Sequence, residues 1–202
     1  VGGNGEGLCL VDKQGRIRQI GVGGQPDQLP DGQIYVLRPD PRGRMWIGTG
    51  AGLIRWENDR LHRVAQAQLG NSVITRISVD GDGRIWIGSH AQLWQLRVAD
   101  EALTAVNGPQ GEPLRSAAVL QDNDGAHWLG TAAGLYLERD GRMQQLQGGA
   151  LSGLWMPNST VVDMLQDHEG GLWFATYSQG LAYLPPDWRR FGNVHQFQGE
   201  LL

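Results

Sequence analysis

The strongest constraint on this chain is a phrase that returns four times: an aspartate, a glycine three residues later and a tryptophan three residues after that glycine. The copies are Asp40-Gly43-Trp46, Asp80-Gly83-Trp86, Asp122-Gly125-Trp128 and Asp167-Gly170-Trp173. Their tryptophans lie 40, 42 and 45 residues apart. A period of about 40–50 residues is typical of an array of small repeated units, so we expect the chain to fold as such an array.

The unit between Ile74 and Val106 indicates what each repeat contains. Four short segments, rich in β-branched residues or alternating polar and apolar residues, are separated by turn residues such as those at 80–83 and 99–101. This pattern predicts four strands joined by tight turns, an antiparallel meander. Four-stranded meanders at this period predict the blades of a β-propeller, and therefore an all-β fold.

The repeat frame also predicts how the chain is divided. A single domain over 1–202 would hold four complete blades, at about 34–64, 74–106, 115–146 and 160–191, after the outer half of a blade at 1–20. The last outer strand would be Trp188–Phe191. Because propellers usually close with more blades, we expect a fragment of a larger propeller. Open blade edges would allow a homodimer.

The repeated phrase has a mechanical interpretation. The aspartate can accept hydrogen bonds from backbone N–H groups of the turn that follows it, and the glycine can adopt the positive φ that completes the turn. The tryptophan then packs between neighbouring blades. We therefore expect all four tryptophans to be largely buried, and we assign structural roles to the aspartates and glycines of the phrase.

Composition excludes several classes of function. The net charge is −4 without any basic block, which argues against a nucleic-acid-binding surface. The single cysteine, Cys9, excludes an intrachain disulfide. No apolar run reaches the roughly 20 residues of a membrane span, so membrane attachment would need segments outside these residues. The five histidines lack the spacing of a zinc site, and we expect no metal, no cofactor and no catalytic residue.

Binding is expected in the loops, because propeller loops gather on one face. His90 lies in a short predicted loop between two strands. Trp155 and Met156 are apolar residues in a long polar insertion, and Tyr177 and Gln179 lie in a loop that is one residue longer than its counterparts. These five residues are the candidate contacts for a ligand or a partner.

The repeats resemble a known family. The phrase Ile-Ser-Val-Asp-Gly-Asp-Gly-Arg-Ile-Trp-Ile-Gly-Ser, at Ile77–Ser89, and the segment Val119–Leu135 are similar to the two-component regulator propeller repeat. The resemblance implies a periplasmic sensor region of a bacterial histidine kinase or of a diguanylate cyclase of the GGDEF type. The chain itself would be non-catalytic, and its partner would be a small molecule or the receptor's own domains.

Two other interpretations stay open. Propellers also carry glycosidases and lyases, which would need carboxylates, histidines or arginines converging on the loop face. A purely structural protein-interaction module would need neither a ligand nor a reaction.

Overall fold

The computed structural model describes residues 5, 7–23, 25, 27–115, 118–146 and 160–188. They belong to two compact units, Val1–Val106 and Asn107–Leu202. Strands dominate both units, and among the described residues the only helix is the single turn α1, Gln66–Leu69. The predicted all-β class is therefore confirmed.

The first unit contains three sheets. The first is a two-stranded hairpin of β1 (Leu8–Val11) and β2 (Ile17–Ile20). The second contains β3 (Ile34–Pro39), β4 (Met45–Thr49), β5 (Gly52–Glu57) and β6 (Arg60–Val64). The third, after α1, contains β7 (Ile74–Val79), β8 (Ile85–Ser89), β9 (Leu93–Arg97) and β10 (Ala102–Val106).

The second unit contains two further sheets. One is four-stranded, with β11 (Ala118–Gln121), β12 (His127–Thr131), β13 (Gly134–Arg139) and β14 (Arg142–Leu146). The other has three described strands, β15 (Val161–Gln166), β16 (Leu172–Thr176) and β17 (Gly180–Leu184). All strand pairs are antiparallel and follow chain order, as a meander requires.

Consecutive sheets within a unit pack face to face. In the first unit, Trp46 and Leu53 share one core cluster with Ile74 and Ile87 of the following sheet. In the second unit, Trp128 shares a core cluster with Val161, Phe174 and other residues of the next sheet. The first strand of each following sheet therefore supplies much of the cover for the tryptophan before it.

A glycine allows this close approach. A Cβ placed on Gly48 would come within 2.6 Å of the carbonyl oxygen of Ile74, and one placed on Gly130 within 2.7 Å of Cγ1 of Val161. Such distances are shorter than real Cβ contacts, so only glycine lets the next sheet lie this near. This explains why an Ile-Gly-Thr or Leu-Gly-Thr sequence follows these two tryptophans.

The end of the last described strand differs from the predicted hairpin. Pro185 and Pro186 follow β17 directly, and neither has the N–H group that a strand ladder needs. Trp188, predicted as the first residue of an outer strand, instead lies in a turn with its ring buried against Trp128, 5.6 Å between ring centroids. The rest of that predicted strand, 189–191, lies outside the described residues.

Candidate functional site

The aspartates of the repeated phrase are fully engaged in local hydrogen bonds. One carboxylate oxygen of Asp40 accepts from the backbone N–H groups of Arg42 and Arg44, at 2.9 and 3.1 Å. The other oxygen accepts from Nε1 of Trp46 at 2.9 Å. One side chain thus holds the turn and orients the indole on the next strand.

The same arrangement recurs in the other three copies. The indole Nε1 donates to the aspartate six residues earlier at 3.1 Å for Trp86, 2.9 Å for Trp128 and 2.8 Å for Trp173. Sequence reasoning predicted the hydrogen bonds within the turn but missed this indole bond. The constant separation of six residues between aspartate and tryptophan was the signal that could have revealed it.

The ionised form is favoured at two of these carboxylates, Asp40 and Asp167. Burial of Asp40 opposes ionisation, but the hydrogen bonds from Trp46 and Arg44 outweigh it and hold the pKa of Asp40 below its ordinary value. Arg44 also forms a buried ion pair with Asp40, Nε to Oδ2 2.6 Å. The hydrogen bond from Trp173 likewise lowers the pKa of Asp167. Ionised carboxylates that already accept several hydrogen bonds are poor general acids. The turns that contain these aspartates are therefore suited to a structural role.

The expectation that all four tryptophans are largely buried is wrong for one of them. Trp46, Trp86 and Trp128 are buried, but the side chain of Trp173 is 37% exposed. Among the described residues no strand follows β17, and the ring of Trp173 packs against Tyr183 at a centroid distance of 4.5 Å. The rings of Trp46 and Trp128 take much of their cover from the following sheet, whereas Trp173 lies in the last sheet that the structure describes.

Each sheet has two chemically different ends. We call the end with the Asp-containing turns the turn end. The opposite end carries the loop between the second and third strands and the connection that leaves the fourth strand, and we call it the loop end. Side-chain amides link these two elements: Gln92 Nε2 donates to the carbonyl of Val106 at 2.7 Å, and Gln145 Nε2 to that of Ala133 at 3.0 Å.

A hydroxyl group closes the loop between the second and third strands in every repeat. The hydroxyl O–H donates to a backbone carbonyl three or four residues later at 2.9 Å, in the pairs Thr49–Gly52, Ser89–Gln92, Thr131–Gly134 and Thr176–Gly180. These bonds fix the backbone of the loops. Differences in ligand recognition between the loops would therefore come from their solvent-exposed side chains.

The described candidate residues all lie at loop ends. His90 is exposed in the loop between β8 and β9 of the first unit. Tyr177, 82% exposed, and Gln179, also exposed, share the loop between β16 and β17 of the second unit. Backbone bonds hold that loop, from the N–H of Tyr177 to the carbonyl of Thr160 and from the N–H of Gln179 to Oγ1 of Thr176. Trp155 and Met156 lie outside the described residues.

A groove of about 550 Å³ lies at the turn end of the first unit and contains none of these candidates. Its lining includes Arg84 and Arg97. Arg97 is paired with Asp100 at 2.7 Å, and Arg84 lies 3.4 Å from Asp82. Both of these guanidinium groups therefore already face carboxylates.

The described residues contain no group of three or more His, Cys, Asp or Glu side chains arranged to hold a metal ion. Nor does any helix in this part of the chain have the length and hydropathy needed to cross a bilayer.

The chain is similar to one protein family. Residues 28–51, 68–91 and 156–178 match the family described as two component regulator propeller. The repeat at 122–128 is not among the matched segments, although its hydrogen bonds are the same. No curated protein matches the chain.

Solved structures share its fold at low sequence identity. The extracellular domain of BT4673 from B. thetaiotaomicron, described as a one component system, is 18% identical with a TM-score of 0.72, over 91% of this chain and 25% of that chain. The extracellular domain of BT3049 from the same organism, described as a hybrid two component system, is also 18% identical, with a TM-score of 0.71, over 92% and 24%. Virginiamycin B lyase from Staphylococcus aureus is 16% identical with a TM-score of 0.59, over 88% and 62%.

These similarities establish the β-propeller fold for the repeated sheets. They also show that this chain spans about a quarter of the length of the two extracellular domains.

Proposed function

Since this chain carries repeats of the two-component regulator propeller family, we propose that it is part of the sensor region of a bacterial signal-transduction receptor. The observation that carries the proposal is the match of three separate segments to one repeat family. Likeness of fold to two extracellular domains supports it. The region itself would be non-catalytic and would lie outside the cytoplasm, in the periplasm.

The division between the two ends of the sheets supports recognition at the loop ends. At the turn ends the aspartate oxygens already accept hydrogen bonds from the protein's own backbone and indoles. At the loop ends Tyr177 and His90 leave a ring in solvent on backbone that is held by hydrogen bonds. An exposed aromatic ring on a fixed loop offers contact area at small entropic cost. A small molecule, or another receptor domain, would therefore contact Tyr177 and Gln179 at the loop end of the second unit, or His90 at a loop end of the first unit.

Signalling would follow from differential binding. A ligand changes the output of a receptor only if it binds one of its arrangements more tightly than another. The output module, a histidine kinase or a diguanylate cyclase, would respond to that shift. Trp155 and Met156 stay candidates for the same contact.

A melting screen tests the proposal. A panel of small molecules is added to the chain, and compounds that raise the melting temperature are tested again with Tyr177→Ala and His90→Ala. We expect at least one variant to lose the shift while the unliganded melting temperature stays within about 2 °C, since both side chains are exposed. Lys13→Ala, in the exposed turn between β1 and β2, is the control and keeps the shift.

The full receptor provides the deciding measurement. The compound should change kinase or cyclase output in the wild type and not in the variant that lost binding. A receptor whose output is the same with and without these repeats would contradict the sensor role.

A lyase is the second candidate, favoured by the fold shared with virginiamycin B lyase. It would need acid–base groups to converge at one loop end, and the described loops contribute only isolated ones, such as His90. Turnover of a panel of carbohydrates and cyclic peptides, abolished by His90→Ala, would replace the sensor proposal with an enzymatic one. A structural interaction module would instead capture a partner without any response to ligands.

A further inference from the structure

The groove at the turn end of the first unit is lined by two successive sheets. The turn between β3 and β4 contributes Arg42 and Arg44, and the turn between β7 and β8 contributes Arg84. Arg97 at the end of β9 and Val98 after it complete this part of the lining. The volume of about 550 Å³ is within the range of small-molecule sites, about 300–1,000 Å³.

The arginines of these turns are not required for the turns themselves. In the second unit, Asp124 stands at the position of Arg42 and Ala126 at that of Arg84, two and four residues after the aspartate of the phrase. Asp122 still accepts hydrogen bonds from two backbone N–H groups and from the indole. The turn therefore forms without either guanidinium group, and its stability does not explain why the first unit carries them.

Two guanidinium groups of the groove keep unused hydrogen-bond donors. Arg42 is exposed, and its side chain forms no hydrogen bond or ion pair with the described residues. The side chain of Arg84 is 48% exposed and lies 3.4 Å from Asp82 and 4.0 Å from Asp80. It donates no hydrogen bond to the described part of the chain. Both groups can therefore offer N–H donors to a ligand.

The neighbouring carboxylates, by contrast, are already used as acceptors. Asp40 accepts four hydrogen bonds, from the backbone N–H groups of Arg42 and Arg44, from Nε of Arg44 and from Nε1 of Trp46. Both oxygens of Asp100 accept from Arg97. These carboxylates offset much of the arginine charge, so hydrogen bonding would select the ligand. A ligand that brings acceptors suits such a groove.

We propose that this groove binds a small organic oxyanion, a carboxylate or a phosphate ester, through Arg42 and Arg84. A planar guanidinium group matches two oxygens of either anion and binds them in parallel hydrogen bonds. Pro41 and Val98 provide apolar contacts for the organic part of the ligand. The site lies at the turn end of the first unit and does not depend on the loop-end contacts proposed above.

A titration with two anions tests the site directly. Benzoate and phenyl phosphate are the probes, and benzamide is their uncharged control. Each is added to the chain at constant ionic strength while NMR follows the Nε–Hε signals of the arginines. At least one anion should shift the signals of Arg42 and Arg84 until they saturate, and benzamide should shift neither. The anion that binds more tightly identifies the ligand class as a carboxylate or a phosphate ester.

Glutamine variants test the two arginines one at a time. Arg42→Gln and Arg84→Gln should each weaken binding of that anion at least about 10-fold, because a charge-assisted hydrogen bond is lost. The control is Arg16→Gln, at an exposed arginine four residues after Asp12 in the turn between β1 and β2, outside the groove. It should leave the affinity within about twofold. All three variants should melt within about 2 °C of the wild type.

Three outcomes would overturn the proposal. In the first, neither anion moves the signals of Arg42 and Arg84. In the second, benzamide binds as well as the anions, or the anions shift the signals of Arg16 equally, which would mean nonspecific association only. In the third, both glutamine variants bind as tightly as the wild type. The comparison of the anions with benzamide needs no variant, so it decides even if a variant unfolds. Loss of the loop-end response in Tyr177→Ala would leave this site unchanged.

Discussion

The indole Nε1 of Trp128 donates a hydrogen bond to Oδ2 of Asp122 at 2.9 Å, across six residues of chain. The other oxygen of Asp122 accepts from the backbone N–H groups of Asp124 and Ala126, at 3.0 and 2.9 Å. A single carboxylate therefore fixes the turn and the direction of the ring that packs into the next sheet.

Replacing that carboxylate by an amide should destabilise the second unit. In Asp122→Asn one of the accepting oxygens becomes an NH₂ group, so a donor faces either the indole or the turn. We expect a loss of about 1.5–3 kcal/mol, measured by urea denaturation, since hydrogen bonds to charged groups contribute in this range.

Asp140→Asn is the matched control for this change. Asp140 lies in an exposed turn of the same unit with positive φ, which asparagine tolerates. Its loss should stay within about 0.5 kcal/mol. Similar losses for the two variants would show that removal of charge, not the indole bond, is responsible.

The tryptophans of two successive repeats should differ in their contribution to stability. Trp128→Ala removes a fully buried ring that contacts Phe174 and Trp188, at centroid distances of 5.5 and 5.6 Å, and should cost about 3–5 kcal/mol. Trp173→Ala removes a partly exposed ring and should cost less than about 2 kcal/mol in the 202-residue chain. Thermal or urea unfolding measures both, and equal losses would contradict the difference in burial.

Much of the fold could be predicted because the repeat and the strand pattern both depend on residues that are close together in the sequence. The alternation around Trp86 and the turn at Asp80–Gly83 place the hairpin of β7 and β8 without any long-range information. The exposure of Trp173 could not be predicted in this way, because it depends on which sheet follows. A local phrase specifies the ring, whereas a neighbouring sheet decides whether water reaches it.

The close approach at Gly48 should be sensitive to a single methyl group. A Cβ there would lie 2.6 Å from both the carbonyl oxygen of Ile74 and Cγ1 of Val36, so Gly48→Ala forces the two sheets apart. We expect a loss of about 1–3 kcal/mol in urea denaturation. The control is Gly21→Ala in the same unit, where a Cβ meets nothing within 4 Å. A loss at Gly48 no larger than that at Gly21 would mean that the sheets adjust freely.

Acid should weaken the first unit through Asp40. Its folded pKa lies below the ordinary value of 3.8, so the ionised form contributes stability that is fully present above this value. That contribution is lost as the pH falls through the lower folded pKa. Urea denaturation at pH 7 and pH 3 should therefore show a smaller fall in stability for Asp40→Asn than for the wild type. An identical fall would place the acid sensitivity elsewhere.

The candidate site was less predictable than the fold. The positions of His90, Tyr177 and Gln179 in loops follow from the strand pattern, and the structure places all three at loop ends. Their chemistry does not follow, because residues that bind one ligand need share no spacing or periodicity along the chain. The repeated Asp and Trp residues could be recognised in the sequence, because every copy has the same structural role and therefore keeps the same spacing.

The glycine at which one sheet approaches the next has a consequence during synthesis. A sheet such as β3–β6 is complete when Val64 has been made, but Ile74, which lies on Gly48, emerges later from the ribosome. Until then an indole and a leucine stand open to water on the newest sheet. The most recently made sheet of a growing chain therefore exposes an apolar face, and aggregation during translation would start at that face.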